Sequence, residues 1–291
     1  MFVPQRILEE KLLKLLAEDV GMGDLTSALI VPAGVQAEAI ITAKEAGTVA
    51  GVEEVTILAA SIGLSICAEV IDGAEIKKDQ ILLKIEGDAR LILSAERTML
   101  NLLCRMSGIA TTTRRLAAVL KKANSVARIA ATRKTAPGLL YFDKKAVLIG
   151  GGDPHRLHLD DMILIKDNHI AIVGNAEAAV RKAKQKVSFG KKIEVEITNV
   201  SDILRVATAG ADIIMLDNFT PSQIRQAVIL LKKAGYSERM LLEASGGITE
   251  ENLEDYAKTQ VNIISIGSLT HSSKALDISL EIVKTQEKKE N

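Results

Sequence analysis

Residues 193–219 read IEVEITNVSDILRVATAGADIIMLDNF, and the fold turns on them. Two short β-branched runs, Ile193 to Ile197 and Asp212 to Leu216, flank a helix-length segment, and carboxylates mark their ends at Glu196 and Asp217. A strand, a polar residue at its C-terminal end, a helix and another strand form one βα unit, which implies parallel strands joined by a right-handed crossover. The pattern continues on both sides. Further strand candidates are Ala127 to Ala131, Met162 to Ile165, Met240 to Leu242 and Asn262 to Ile266, ended by Arg133 with Lys134, by Lys166, by Ser245 and by Gly267. Counting from Arg133, the strand-end residues are 33, 30, 21, 28 and 22 positions apart, each gap leaving room for a helix and a return strand. Polar groups at every strand end favour a barrel, because closure brings all the ends to one mouth; an open doubly wound sheet would gather them at one switch point. With about six strands against the usual eight, the expected class is an incomplete, TIM-like α/β barrel.

Residues 1 to about 110 follow another pattern. An amphipathic helix is expected over Arg6 to Glu18, with Ile7, Leu8, Leu12, Leu15 and Leu16 on one stripe. Strand-like runs follow at Ala39 to Thr42, Ile66 to Ile71 and Ile81 to Ile85, interrupted by a helix near Val52 to Ile62. This is an α+β pattern, an antiparallel sheet with helices on one side. Residues 90–122 read as one long helix or a pair broken at Ser107-Gly108. The expected organisation is therefore a sandwich domain over 1–110 and a catalytic barrel over 111–273, with a C-terminal helix over 274–291 packing back on the first domain.

Composition bounds the function. Lys plus Arg (37) equals Asp plus Glu (37), so no global field attracts nucleic acid or acidic membranes. Absent tryptophan and 2% aromatic content argue against base-stacking platforms. No apolar run approaches the roughly 20 residues that cross a bilayer, and the start, MFVPQRILEEKLLKLL, lacks the pattern of a signal peptide. Cys67 and Cys104 form no ligand cluster, and a reducing cytoplasm is the expected compartment.

Basicity is local instead. TRKTAPGL (132–139), GGGDPHR (150–156) and LIKDNHI (164–170) place Arg133, Lys134, His155, Arg156 and Lys166 beside glycines, a proline or a strand end. Arg133 and Lys134 suit a dicarboxylate or phosphate. Lys166 either binds an anion or serves as a desolvated Schiff-base amine. Glu196 and Asp217 suit Mg²⁺ beside phosphate oxygens, or a positive charge developing on a sugar carbon. Ser245-Gly246-Gly247, ahead of a helix expected near Thr249, suits a phosphate cradle that Gly267-Ser268 would complete.

These residues lie within a longer series: EDVGMGDLTS (18–27), KEAGTVAG (44–51), AERTMLNLLCRMSGIAT (95–111), TRKTAPGL, GGGDPHR, LIKDNHI, IEVEI, MLDNF, EASGGI and IGSLTHS. In that order the series resembles the quinolinate phosphoribosyltransferases, type II phosphoribosyltransferases of NAD synthesis, over nearly the full length. The resemblance implies an N-terminal α+β open-faced sandwich joined to a short α/β barrel, and transfer of phosphoribosyl from phosphoribosyl pyrophosphate to quinolinate with decarboxylation. It also implies Mg²⁺ and a homodimer, or a higher assembly of dimers, in which Arg97 enters the neighbouring subunit's site. By similarity Arg97, Arg133, Lys134, His155, Arg156 and Lys166 bind quinolinate and pyrophosphate, with Lys134 and Lys166 also catalytic. Glu196 and Asp217 hold ribose and metal and are catalytic, and Ser245, Gly246, Gly247, Gly267 and Ser268 take the 5′-phosphate. The chain departs from the family pattern at Leu140 (usually Arg), Lys145 (usually Tyr) and Pro154 (usually Asn). Lys144 or Lys145 is the expected compensation for the lost rim cation. The open alternatives are a related phosphoribosyltransferase of molybdenum-operon type acting on another base, a Schiff-base lyase built on Lys166, and a non-catalytic sensor of a phosphorylated metabolite.

Overall fold

The computed structural model describes residues 3–286, and the chain divides into two compact units. The first holds the chain up to Thr112, Leu148–Gly150 and the segment from Ser273 onward; the second holds Thr113–Val147 and Gly151–Ser272.

In the first unit, helices α1 (Gln5–Val20), α2 (Leu25–Ile30) and α3 (Val52–Ser61) accompany a four-stranded antiparallel sheet. Its strands are β1 (Gln36–Ala43), β3 (Ser65–Ala68), β5 (Ile81–Asp88) and β12 (Ile278–Gln286), in the order β12-β1-β5-β3. A two-stranded ribbon pairs β2 (Gly47–Thr48) with β4 (Glu75–Ile76). Alternation sets the buried face of β1, where Ala37, Ala39, Ile41 and Ala43 are all buried. The helix expected over 274–291 is instead this last strand, and residues 287–291 lie outside the described residues. Its apolar residues, Ile278, Leu280 and Ile282, recur with period two, and cross-strand pairs Lys44–Glu281 (3.0 Å) and Lys284–Glu38 (2.6 Å) join it to β1.

Helix α4 (Ala89–Lys122) is continuous through Ser107-Gly108. That pair marks contacts, not a break. Ser107 Oγ accepts from the Ala50 N–H at 3.0 Å, and a Cβ on Gly108 would lie 1.9 Å from the Lys274 carbonyl oxygen.

The second unit is built on six parallel strands: β6 (Arg128–Ala130), β7 (Ile163–Ile165), β8 (Ile193–Ile197), β9 (Ile213–Asp217), β10 (Leu241–Ser245) and β11 (Ile263–Ser265). Their order is β6-β11-β10-β9-β8-β7. Read from β7, this is sequence order throughout with β6 returning beside β11, as in a barrel opened at one seam. A doubly wound sheet would reverse direction midway. At the seam β6 and β7 are not bonded to each other, and Asp153 lies along β6: its N–H donates to Ile129 O (2.8 Å) and its carbonyl accepts from Ala131 N (2.9 Å).

Alternation then separates two sets of side chains. Val195, Ile197, Ile214, Leu216, Leu242, Ala244, Ile264 and Ile266 join one apolar core with Val180 of α7 (Ala176–Lys186), Val206 of α8 (Ile203–Ala209) and Ile224 of α9 (Pro221–Lys233). The residues of opposite parity face the barrel interior and furnish the site.

Candidate active site

A cavity of about 790 Å³ opens at the C-terminal ends of the strands. Its strand-borne lining follows the two-residue period: Leu164 and Lys166; Glu196; Met215 and Asp217; Glu243 and Ser245; Ser265 and Gly267. Arg133, Lys134, His155, Arg156, Gly246, Gly247 and Ser268 complete the expected set. Of the expected residues, Arg97 alone is not part of the lining; it lies on α4, 64% exposed, with Glu96 4.0 Å away.

Strand order sorts the mouth into three arcs. Cations occupy the seam: Arg133 and Lys134 after β6, His155 and Arg156 beyond Asp153, and Lys166 after β7. Acids follow on β8 and β9, where Glu196 Oε2 lies 3.2 Å from Lys166 Nζ and Asp217 Oδ2 accepts from Asn218 Nδ2 at 2.8 Å. Small residues close the circle on β10 and β11. Lys166 is 47% exposed and paired, so the desolvation that would make it a Schiff-base nucleophile is missing. His169 accepts the Lys166 N–H through Nδ1 (3.0 Å) and so caps α6 (Asp167–Val173).

In the small-residue arc Gly246 has φ 91° and Gly247 φ 61°. Two such residues in a row make a turn that glycine adopts without strain and leave the backbone bare at the cavity. A Cβ on Gly246 would lie 2.3 Å from Asn218 Oδ1, so both crowding and φ demand glycine. The helix expected near Thr249 begins later, as α10 (Leu253–Ala257), because Asn252 ties the loop into a turn, accepting from Thr249 N (2.9 Å) and donating to Gly247 O (3.0 Å). This loop therefore presents bare backbone to the cavity, with no helix terminus directly behind it. Beside it, the Lys134 carbonyl accepts from Thr270 Oγ1, on the short helix Ser268–His271 after β11, at 2.8 Å.

Beneath the mouth lies a second polar layer that the strand-end reading missed. Glu194 and Glu243, two positions before Glu196 and Ser245, are fully buried where barrels usually carry branched apolar side chains. His155 Nε2 is 3.1 Å from Glu243 and 3.5 Å from Glu194, and Ser265 Oγ donates to Glu243 at 2.5 Å. Among the described residues no hydrogen-bond donor reaches either oxygen of Glu194. Burial, then the neighbouring Glu243 charge, push the Glu194 carboxyl well above the usual carboxylate range. Burial pushes His155 down, but the hydrogen bond and the charge of Glu243, then the charge of Glu194, outweigh it and leave the imidazole above its ordinary value. The Arg156 N–H donating to Nδ1 at 2.8 Å favours a neutral ring instead. In either charge state Nε2–H points to Glu243, so the orientation of the ring is fixed. The sequence signal was period two: IEVEI places both glutamates on one face.

Lys144 and Lys145 are not rim cations. Both are buried on α5 (Leu140–Ile149) and neither lines the cavity. The position occupied by Leu140 is thus without a replacement charge from this helix.

Comparison with known proteins agrees with this architecture. Residues 24–107 match the quinolinate phosphoribosyl transferase N-terminal domain and residues 109–281 its C-terminal domain. The chain is 48% identical over 269 residues to a probable nicotinate-nucleotide pyrophosphorylase (carboxylating) of Methanothermobacter thermautotrophicus, covering 92% of this chain and 96% of the relative. A protein of the same description from Methanocaldococcus jannaschii is 48% identical over 277 residues, covering 94% and 96%. The solved nicotinate-nucleotide pyrophosphorylase of Francisella tularensis superposes with a TM-score of 0.87 at 34% identity, over 97% of this chain and 98% of that one. With both domains matched in order and the barrel mouth furnished as described, the chain belongs to the quinolinate phosphoribosyl transferase family.

Proposed function

We propose that this protein transfers the phosphoribosyl group of phosphoribosyl pyrophosphate to the pyridine nitrogen of quinolinate, releasing pyrophosphate and carbon dioxide and forming nicotinate mononucleotide for NAD synthesis. The observation that carries the reading is the three-part mouth: cations, then acids, then a glycine cradle. Two polyanions joined at one sugar carbon need that order. Quinolinate's carboxylates fit the seam, where Arg133, His155, Arg156 and Lys166 converge. The 5′-phosphate fits the Ser245–Gly247 loop with Gly267 and Ser268. Lys134, between seam and cradle, is placed for the pyrophosphate. Glu196 and Asp217 then face the ribose.

The ring nitrogen attacks the anomeric carbon as its bond to pyrophosphate oxygen breaks. Glu196 and Asp217 face the positive charge that spreads over the sugar in that transition state, a contribution of about 3 kcal/mol by comparison with other preorganised charge-stabilising groups. The alkylated ring is an electron sink: its carbon–carboxylate bond breaks, carbon dioxide leaves, and the electron pair left on the ring carbon takes a proton. The work of the side chains is mostly placement and charge, with no covalent enzyme intermediate.

Mg²⁺ fits the acidic arc. Glu196 and Asp217 each have one oxygen engaged by a neighbour, and the other meets no hydrogen-bond donor among the described residues. Two carboxylates at an open mouth are the hard, partial ligand set Mg²⁺ takes when substrate oxygens complete it. When bound it would screen the pyrophosphate charge and improve the leaving group.

We also assign a homodimer, or an assembly of dimers, with Arg97 supplied across subunits; the exposed Arg97 and the family resemblance support this. Mixing Arg97→Ala with Arg133→Ala subunits should then restore about a quarter of wild-type activity through mixed dimers. No recovery on subunit exchange would remove the assignment. Among the described residues no helix is long and apolar enough to cross a membrane, and the two free cysteines support a cytoplasmic setting.

The deciding assay supplies quinolinate or nicotinate with phosphoribosyl pyrophosphate and Mg²⁺. Nicotinate mononucleotide and carbon dioxide from quinolinate are expected. Turnover of nicotinate alone, or of neither, would overturn the reading.

A further inference from the structure

Lys144 is a charged side chain with no place in the reaction just described. It is 0% exposed, its Nζ donates to the carbonyl oxygens of Pro154 and Arg156 (the latter at 3.2 Å), and no ion pair with a carboxylate within 4 Å is recorded for it among the described residues. Burial, the largest influence, lowers its pKa to about 8; Arg156 and Arg133 act the same way, while Asp153 and Asp143 oppose it. A buried ammonium held at such cost needs a reason beyond filling space.

The two carbonyls bracket His155. That residue has φ 53°, a left-handed conformation unusual for a residue with a Cβ. Its φ depends on the orientation of the 154–155 peptide, the peptide that carries the Pro154 carbonyl. The Arg156 carbonyl belongs to the peptide leaving Arg156. One ammonium therefore fixes the backbone on both sides of the His155–Arg156 pair. Two further contacts are compatible with the same turn: Asp153 Oδ1 accepts the His155 N–H at 2.7 Å, and Glu243 takes the ring at 3.1 Å. Without Lys144 the 154–155 peptide can rotate, relieving the left-handed φ and turning His155 and Arg156 away from the seam.

We propose that Lys144 is the positioning residue of the pyridine-dicarboxylate subsite: its buried ammonium locks the strained His155 turn and so aims His155 and Arg156 into the cavity. This rests on the reading of the seam as the quinolinate subsite. The assignment makes the effect selective, because the glycine cradle on β10 and β11 does not depend on that turn.

The test is Lys144→Met, close in length but without charge or donor, with Lys144→Gln as a second variant. Binding of quinolinate and of phosphoribosyl pyrophosphate is measured separately by calorimetry, with steady-state kinetics and circular dichroism alongside. Expected are a native spectrum, quinolinate Kd weakened at least tenfold, phosphoribosyl pyrophosphate Kd within twofold of wild type, and KM for quinolinate raised more than kcat is lowered. Equal weakening of both ligands, unchanged quinolinate affinity, or failure of both variants to fold would each overturn the proposal. Wild-type protein that binds no quinolinate would refute the reading of the site itself, which the unsubstituted arm reports independently.

Discussion

Two arcs of one barrel mouth, each proposed above to take an anion, are built by opposite means. In the proposed phosphate cradle after β10 the backbone is bared by Gly246 and Gly247, both left-handed, and a Cβ on Gly247 would meet nothing within 4 Å. Along the seam the proposed holding groups are basic side chains, with Arg156 directly following the left-handed His155. The first arc is shaped chiefly by its own loop, with Asn218 packed against Gly246 and its N–H donating to Ser245 O at 2.8 Å. The second stands on groups remote from it, Lys144 below its backbone and Glu243 with Ser265 behind its ring. A cradle made of backbone is cheap to specify; a cluster of like charges must be propped.

The largest break in this contrast should come from Arg133→Ala. It removes a seam cation capable of a two-pronged grip on carboxylate, and kcat/KM for quinolinate should fall by about 100-fold or more, as for other charge-stabilising groups. Folding should be unaffected, because Arg133 is an exposed residue beyond β6. Turnover at the wild-type level would remove Arg133 from the site.

Gly246→Ala attacks the other arc. The added methyl meets Asn218 and forces a side chain into φ 91°, so the loop must shift and KM for phosphoribosyl pyrophosphate should rise about tenfold. Quinolinate binding alone should stay near wild type. If both affinities fell together, the two arcs would not be separable.

Glu243→Gln should do less. The amide can still accept the His155 Nε2–H, but the negative charge that supports the imidazole is gone. Quinolinate affinity should weaken roughly threefold to tenfold, in line with a hydrogen bond to a charged group reduced to a neutral one. Ser265→Ala, which removes only the donor to Glu243, should weaken it less still; the reverse ranking would mean that the hydroxyl, not the carboxylate, orients the ring.

The same contrast explains what was legible in the sequence. The six barrel strands were readable because β-branched runs ending on polar residues are local signals, and SGG named its own loop. Glu194 and Glu243 were within reach, since both lie two residues before an identified strand end. Lys144 was not. A lysine on a short helix normally faces water, and nothing near it in sequence shows that it turns inward to carbonyls ten and twelve residues away. The last strand is disguised by its lysine and glutamate, residues that favour helices, although Ile278, Leu280 and Ile282 alternate. The barrel seam is likewise a property of pairing between distant strands, so no single stretch announces it.

A separate effect is one of stability, and it isolates the seam's buried prop. In the unfolded chain the Lys144 amine has its ordinary value of 10.5, whereas burial lowers it to about 8 in the native protein. Between those values the unfolded state holds the extra proton more often than the native state, so this group makes stability rise with pH across the window. Below about 8 both states are charged, and the full cost of burying the ammonium is present. One group can contribute at most about 1.4 kcal/mol per pH unit. Denaturant titrations of wild type and Lys144→Met from pH 7 to 10.5 should therefore diverge in slope, with the variant flatter. Because every other lysine titrates in both proteins, only the difference reports on position 144. Parallel curves would mean that the ammonium is not held out of water, and the seam would then need no buried support.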